Sequence, residues 1–280
     1  MPARTSETRH RAAVLGSPIG HSLSPVLHNA AYAALGLDDW SYDRFDVDEA
    51  ALPGFIGELD DSWAGFSLTM PLKRAVIPLL DEISETAAAV EAVNTLVFRE
   101  DGRRVGDNTD IPGMLAALRE RGIEKVGSAA ILGAGATASS ALAAVARICD
   151  GPVTAYVRSE ARAEEMRGWG ERLGVEVRTA DWEKAARSFT AELVVATTPA
   201  GTTNALAESV PTTVGTLFDV LYDPWPTALA SAWSDHGGKV VSGLDLLVHQ
   251  AGLQFEQMTG LPQAPLAAMR EAGERALASR

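Results

Sequence analysis

The chain carries no charged residue from Val126 through Ala146, and that run constrains its fold more than any other feature. Its length raises a membrane-spanning helix, yet Gly133, Gly135, Thr137, Ser139 and Ser140 interrupt it in the middle. A strand, a glycine turn and a helix explain it better. "SAAILG" reads as the strand and "LGAGATASSALAAVA" as the turn and helix, so Gly133, Gly135 and Ala138 fit the dinucleotide-binding fingerprint in its proper context. The first glycine permits a tight turn, the second lets a pyrophosphate approach the backbone, and the small third residue lets helix and strand pack closely. Helix N–H groups following Gly133, Ala134, Gly135, Ala136 and Thr137 then face the phosphates.

The end of the next strand, "AYVRSEAR", selects the cofactor. A site for NAD usually carries an acidic residue there to hold the ribose 2'-hydroxyl. Here Arg158 takes that place, with Arg162 about one helical turn later. A guanidinium suits a 2'-phosphate through paired charge-assisted hydrogen bonds, so NADP is expected. The plainer alternative is two solvated arginines with partners in "EARAEE".

Four further strands, "VEVRT", "ELVVAT", "TLFDVL" and "KVVSG", alternate with helical stretches, the pattern of a parallel sheet covered on both faces. Past Gly243 the chain reads as two helices. Leu244, Leu247, Val248, Ala251 and Phe255 form an apolar stripe on the first, which Gly260 and Pro262 end.

The first segment also alternates strand and helix, up to about Asp110. "AAVLG" is a buried strand running into "GSPIGHSLSP", where two hydroxyls, Ser22 and Ser24, sit one residue apart. "SPVLHNAAYAALG" is the following helix, with Ser24 expected as N-cap, Pro25 at its first position and Gly36 just past its end. "WAGFSLTM" is a strand stopping at Pro71, which leaves Thr69 and Lys73 on either side of the turn. "NTLVFREDGRRVGDNTD" is a hairpin turning at Asp101-Gly102.

Charge narrows the partners. Net charge is -13 over 280 residues, so the chain has no electrostatic footprint for nucleic acid or an anionic membrane, and an anion must be bound locally. The single cysteine, Cys149, excludes an internal disulfide, suits a reducing cytoplasm, and reads as a small core hydrophobe. "MPARTSETRHR" reads as a frayed tail, and the five histidines have no metal-ligand spacing.

"GSPIGHSLSPVLHN", "SLTMPLK", "AVNTL", "GDNTD", "YDPWPTAL" and "GLDLLVHQA" occur in that order. Together they resemble the shikimate dehydrogenase family, particularly its actinobacterial members, from about Ala13 to Gly260. The family reduces 3-dehydroshikimate to shikimate with NADPH. The resemblance implies that Ser22 and Ser24 bind the substrate carboxylate, and that Thr69, Asn94 and Gln250 bind ring hydroxyls. Lys73 and Asp110 would be the catalytic pair, with Tyr222 and Gly243 near the nicotinamide and substrate. The cofactor would rest on the 133–137 turn and on Arg158, Ser159 and Arg162.

The chemistry is consistent with those roles. Each serine hydroxyl can donate one hydrogen bond to a carboxylate, and the helix starting there adds its positive end. Hydride arriving at a carbonyl leaves charge growing on its oxygen, which needs a proton from a group within hydrogen-bond reach; Lys73 can supply it, and Asp110 would orient Lys73 and favour its charged form. Against the usual family pattern, Ser67 replaces Asn, Ala136 replaces a third loop glycine, Ser139 and Ser140 stand where an arginine often helps hold the cofactor, Val157 and Ser159 replace Asn and Thr, and Asp245-Leu246 replaces Gly-Met.

The fold expected is therefore α/β: a substrate domain at 1–110 completed by C-terminal helices at 244–280, and a doubly wound Rossmann domain at 111–243, with the site in a cleft between them. A quinate or aminoshikimate dehydrogenase, or a silent ligand sensor, would share that fold. Retention of both Lys73 and Asp110 argues against a sensor. Monomer and homodimer both stay open.

Overall fold

A computed structural model describes residues 10–280. They divide into two compact units: one holds the chain up to Ala87 with Val93–Thr109 and Ala251–Arg280, the other Ala88–Ala92 with Asp110–Gln250.

The first unit contains β1 (His10–Gly16), α1 (Ser24–Leu35), β2 (Trp40–Asp46), α2 (Leu52–Gly57), β3 (Trp63–Leu68), α3 (Leu72–Ala75), β4 (Glu82–Ile83) and the start of α4 (Glu85–Val90), then β5 (Thr95–Phe98) and β6 (Arg104–Asp107). Its sheet runs β2-β1-β3-β5-β6-β4. β1 lies between parallel neighbours, and this is why Ala12 through Gly16 are all buried, whereas the β5–β6 hairpin is antiparallel. Gly102 turns that hairpin at φ +80°, where a side chain would be strained. Leu15, Phe66, Leu72 and Leu96 centre the core of this unit.

Two sequence expectations change here. Leu23, not Ser24, is the N-cap of α1, and no side chain caps the helix. Leu23 already has helical dihedrals, and its carbonyl accepts from Val26 N and Leu27 N, so the helix begins one residue earlier than a capping serine would start it. Gly36 ends it at φ +66°, as expected. The expectation of a frayed tail fails at its last two residues: His10 stacks on Trp40 at 4.7 Å, Arg11 lies 4.0 Å over the Trp63 ring, and both residues belong to β1. The rest of that tail lies outside the described residues.

The second unit contains α5 (Asp110–Glu120), β7 (Ala129–Leu132), α6 (Ala136–Val145), β8 (Val153–Val157), α7 (Glu160–Leu173), β9 (Val177–Asp181), β10 (Leu193–Ala196), β11 (Thr216–Asp219), α8 (Ala228–Asp235) and β12 (Lys239–Val241). Its six strands are all parallel, in the order β12-β11-β10-β7-β8-β9. The chain starts in the middle, steps outward through β8 and β9, then returns to β10 beside β7 and steps outward the other way. That is the doubly wound order, and it puts a topological switch point between β7 and β10. Alternate residues feed two cores: Ala129 and Ile131 of β7 face one, Ala130 and Leu132 the other. Cys149 is half-buried against the first of these cores.

Val90 and Ala92 pack into that same core, which explains why 88–92 group with this unit. Ser139 Oγ donates to Val90 O at 2.9 Å and Trp169 Nε1 to Glu91 at 3.1 Å. Two helices close the chain, α9 (Gly243–Thr259) and α10 (Leu266–Ala278), and the division between units falls inside α9, after Gln250. The apolar stripe expected on α9 is buried throughout. Among the described residues no helix is long and apolar enough to cross a membrane.

Candidate active site

In the first unit, main-chain bonds gather the expected site residues. Ser17 N donates to Met70 O at 3.0 Å, and a Cβ on Gly16 would lie 2.5 Å from Thr69 Cγ2 and 2.9 Å from Met70 O. Only glycine allows the serine loop this approach to Thr69. Ser22 Oγ accepts from Ser24 N at 3.3 Å and donates to Ser24 Oγ at 3.3 Å, both long bonds on buried groups. The pair is thus held together at the first turn of a 12-residue helix without capping it.

Asn94 is the hub. Its carbonyl accepts from Leu68 N at 2.8 Å, and the neighbouring Val93 N donates to Lys73 O at 2.8 Å. Its side-chain Oδ1 accepts from Thr109 N at 2.8 Å, from Thr95 Oγ1 at 2.8 Å and from Thr109 Oγ1 at 3.1 Å. Thr109 immediately precedes Asp110. The Lys73 backbone is therefore tied to the residue before Asn94, and the Asn94 side chain to the residue before Asp110.

In the second unit, Asp110 opens α5 and is buried. A Cβ on Gly113 would lie 3.1 Å from Gln250 Cβ, so α5 and α9 meet there, one turn beyond Asp110. Asp219 fastens the loop that carries Tyr222: its carboxylate accepts from Leu221 N at 3.2 Å and from Thr227 Oγ1 at 2.7 Å. Burial raises the Asp219 pKa, and these two hydrogen bonds work against that rise. Gly243 N donates to Leu221 O at 3.0 Å, and a Cβ there would meet Val220 O at 2.2 Å.

The cofactor turn has the required openings. Gly133 sits at φ +114°, and a Cβ would lie 2.7 Å from Thr197 Oγ1, so both conformation and space call for glycine. Gly135 is the N-cap of α6 with no side-chain cap, and nothing lies within 4 Å of a Cβ built on it. Helix N–H groups that no side chain caps, an open approach and a switch point fit a pyrophosphate. Gly133 N donates to Tyr156 O at 3.1 Å, placing the turn at the same strand ends as Arg158. Arg158 is exposed and its guanidinium lies 5.4 Å from the Trp182 ring centroid. Ser159 caps α7 by accepting from Arg162 N at 3.4 Å, while the Arg162 guanidinium pairs with Glu165 at 2.7 Å.

Residues that sequence reasoning misses also line these regions. Thr197 follows β10 and donates to Leu132 O at 2.9 Å beside Gly133; the only signal is a threonine pair after a strand. Tyr42 and Gln254 reach Ser67, with no local signal at all.

These features define a two-domain α/β oxidoreductase with a Rossmann cofactor unit. The profile of the shikimate dehydrogenase substrate binding domain matches residues 14–96, and that of the shikimate 5'-dehydrogenase C-terminal domain matches residues 243–272. A shikimate dehydrogenase (NADP(+)) of Thermus thermophilus is 38% identical over 271 residues, covering 95% of this chain and 98% of the relative. The crystal structure of Mycobacterium tuberculosis shikimate dehydrogenase superposes with a TM-score of 0.86 at 41% identity, over 95% of this chain and 99% of that one. A crystal structure of Thermus thermophilus shikimate 5-dehydrogenase in complex with NADP(H) and shikimate gives 0.82 at 37% identity, over 96% and 100%. The chain belongs to the shikimate dehydrogenase family.

Proposed function

We propose that this chain catalyses the reversible, NADPH-dependent reduction of 3-dehydroshikimate to shikimate in the cytoplasm, as a step of aromatic amino acid biosynthesis. Ser22 and Ser24 bind the carboxylate with two hydroxyl donors and the positive end of α1. Thr69, Asn94 and Gln250 bind ring hydroxyls, and Tyr222 and Gly243 border the reacting end.

The hydride comes from NADPH when it is bound. Lys73 gives the proton to the oxygen of the carbonyl that is reduced, and Asp110 orients the Lys73 amine. In the oxidation direction Lys73 must be neutral to take that proton back. The observation that supports this pairing above all is the hydrogen bonding around Asn94, which ties together the segments that carry the two partners.

Gly133 through Thr137 cradle the pyrophosphate, Ser159 sets the start of α7, and Arg158 with Arg162 faces the 2'-phosphate. Arg158 carries more of that work, because the Arg162 guanidinium is already paired with Glu165. Arg158→Ala is expected to raise the KM for NADP about 10- to 100-fold, the size of a charge-assisted contact, while the KM for NAD changes little. Equal losses with both cofactors would mean that Arg158 does not read the phosphate.

The functional test is absorbance at 340 nm with shikimate or quinate, each paired with NADP or NAD. Shikimate with NADP is expected to be the preferred pair by a wide margin in kcat/KM. A preference for quinate with NAD would reassign the enzyme within its fold, and no reaction with any pair would contradict the reading.

A further inference from the structure

Behind the expected ring-hydroxyl contacts lies a buried chain of polar side chains that the reaction scheme does not use. Tyr42, Ser67, Thr95 and Gln254 are each no more than 4% exposed. Ser67 lies near the end of β3, two residues before Thr69, which follows the strand. Gln254 lies one helical turn beyond Gln250 on α9.

The proton directions in this chain follow from one carbonyl. Gln254 Nε2 donates to Asn94 O at 2.9 Å; a backbone carbonyl only accepts, so the amide orientation of Gln254 is fixed. Its Oε1 therefore faces Ser67 and accepts the serine proton at 2.7 Å. Tyr42 donates its own hydroxyl proton to Ser67 Oγ. With its proton committed and one lone pair used, Ser67 has only an acceptor left for a ligand.

The other branch sets Asn94. Gln254 Nε2 also donates to Thr95 Oγ1 at 3.1 Å, which turns the threonine proton toward Asn94 Oδ1 at 2.8 Å. Thr109 N donates to the same oxygen at 2.8 Å. Asn94 Oδ1 thus accepts within the protein, which fixes the amide orientation and makes donation from Nδ2 the only kind of hydrogen bond its nitrogen side can offer.

We propose that Gln254 is a positioning residue for substrate selection: by fixing these directions it pairs an acceptor at Ser67 with a donor at Asn94, a match for a ring hydroxyl and for no group that only accepts. This rests on the reading above that Asn94 contacts the substrate ring. A hydroxyl satisfies both partners at once, whereas a carbonyl or a methylene at that carbon leaves a buried group unpaired, which is the arrangement that discriminates best. Ser67, where the family usually has Asn, then has a partner on each side and does not act alone.

The test compares shikimate with its 4-deoxy and 5-deoxy analogues, each assayed with NADP, in wild type and in Gln254→Leu. Wild type is expected to lose about 10- to 100-fold in kcat/KM on at least one analogue. In Gln254→Leu, activity on shikimate falls through KM, the KM for NADP holds, and the penalty for that analogue shrinks to about 3-fold or less. A merely structural residue would lower activity on every substrate alike and leave the penalty unchanged, and that result overturns the proposal. Gln254→Met, which keeps the length of the side chain while removing its amide, supplies the same comparison should Gln254→Leu fail to fold. A wild-type enzyme inactive on shikimate overturns the functional reading and this proposal together; an active wild type whose penalty survives in the variant overturns this proposal alone.

Discussion

Lys73→Ala is expected to lower kcat by about 10²- to 10⁴-fold while the KM for shikimate stays within about 3-fold. The size follows from the removal of the proton donor from a step in which negative charge grows on oxygen. The KM holds because binding is assigned to other groups: the carboxylate to Ser22 and Ser24, the ring hydroxyls to Thr69, Asn94 and Gln250. The variant should also fold, because Lys73 is fixed by its backbone: its carbonyl accepts from Val93 N at 2.8 Å, and the residue is only half-buried. If kcat survives and KM alone rises, Lys73 is a clamp for the substrate and the proton comes from elsewhere.

The second large effect concerns acid stability. His28→Phe is expected to make the protein more resistant to unfolding in acid, by about 2–3 kcal/mol near pH 4.5. His28 is fully buried, stacks on Tyr42 at 4.0 Å with the rings 10° apart, and its pKa is pushed down to about 3 by desolvation. The nearby Gln254 side chain works against that fall, but neither ring nitrogen completes a well-formed hydrogen bond.

The sign follows from proton binding. Above pH 6.5 the imidazole is neutral in folded and unfolded chains alike, and the contribution of His28 is fully present. As pH falls from 6.5 toward 3 the unfolded chain takes up a proton that the folded chain refuses, so stability is lost across that window. Phenylalanine keeps the stack on Tyr42 and removes the titration. Denaturant unfolding of both proteins at pH 7.5 and pH 4.5 checks this; equal acid losses in the two would show that His28 is not the group responsible.

Much of this fold is legible in the sequence because its signals are local and periodic. The strands of the Rossmann sheet read as apolar runs, since a parallel strand is covered on both faces, and the uncharged stretch resolves into β7, a glycine turn and α6 as its glycines and serines imply. The end of α1 at Gly36 and the hairpin turn at Gly102 are equally plain. The start of α1 is not. A serine before a proline is the usual sign of an N-cap, but here the loop reaches helical dihedrals at Leu23 and frees both serines from capping.

What stays hidden depends on contacts between distant stretches. Ser67 and Gln254 are separated by 187 positions, and Tyr42 and Ser67 by 25. Each of these residues looks ordinary in its own segment, a tyrosine in an edge strand or a glutamine on an amphipathic helix. Ser67 even looks like a loss relative to the usual Asn, and only its two partners show how a smaller side chain keeps its hydrogen bonds. Ala88–Ala92 likewise give no sign in sequence that they pack with the cofactor unit, because Val90 and Ala92 could serve either core.

The central claim is that one lysine passes the proton in both directions of the reaction. Single-turnover oxidation of shikimate by NADP, followed at 340 nm from neutral to alkaline pH, tests it directly, with a slowing by deuterium at C3 of the substrate to establish that hydride transfer is being observed. The rate is expected to climb from neutral to alkaline pH, because the group that takes the proton back must first be without one, and to lose that climb in Lys73→Ala. A flat profile under the same isotope-sensitive conditions would contradict it.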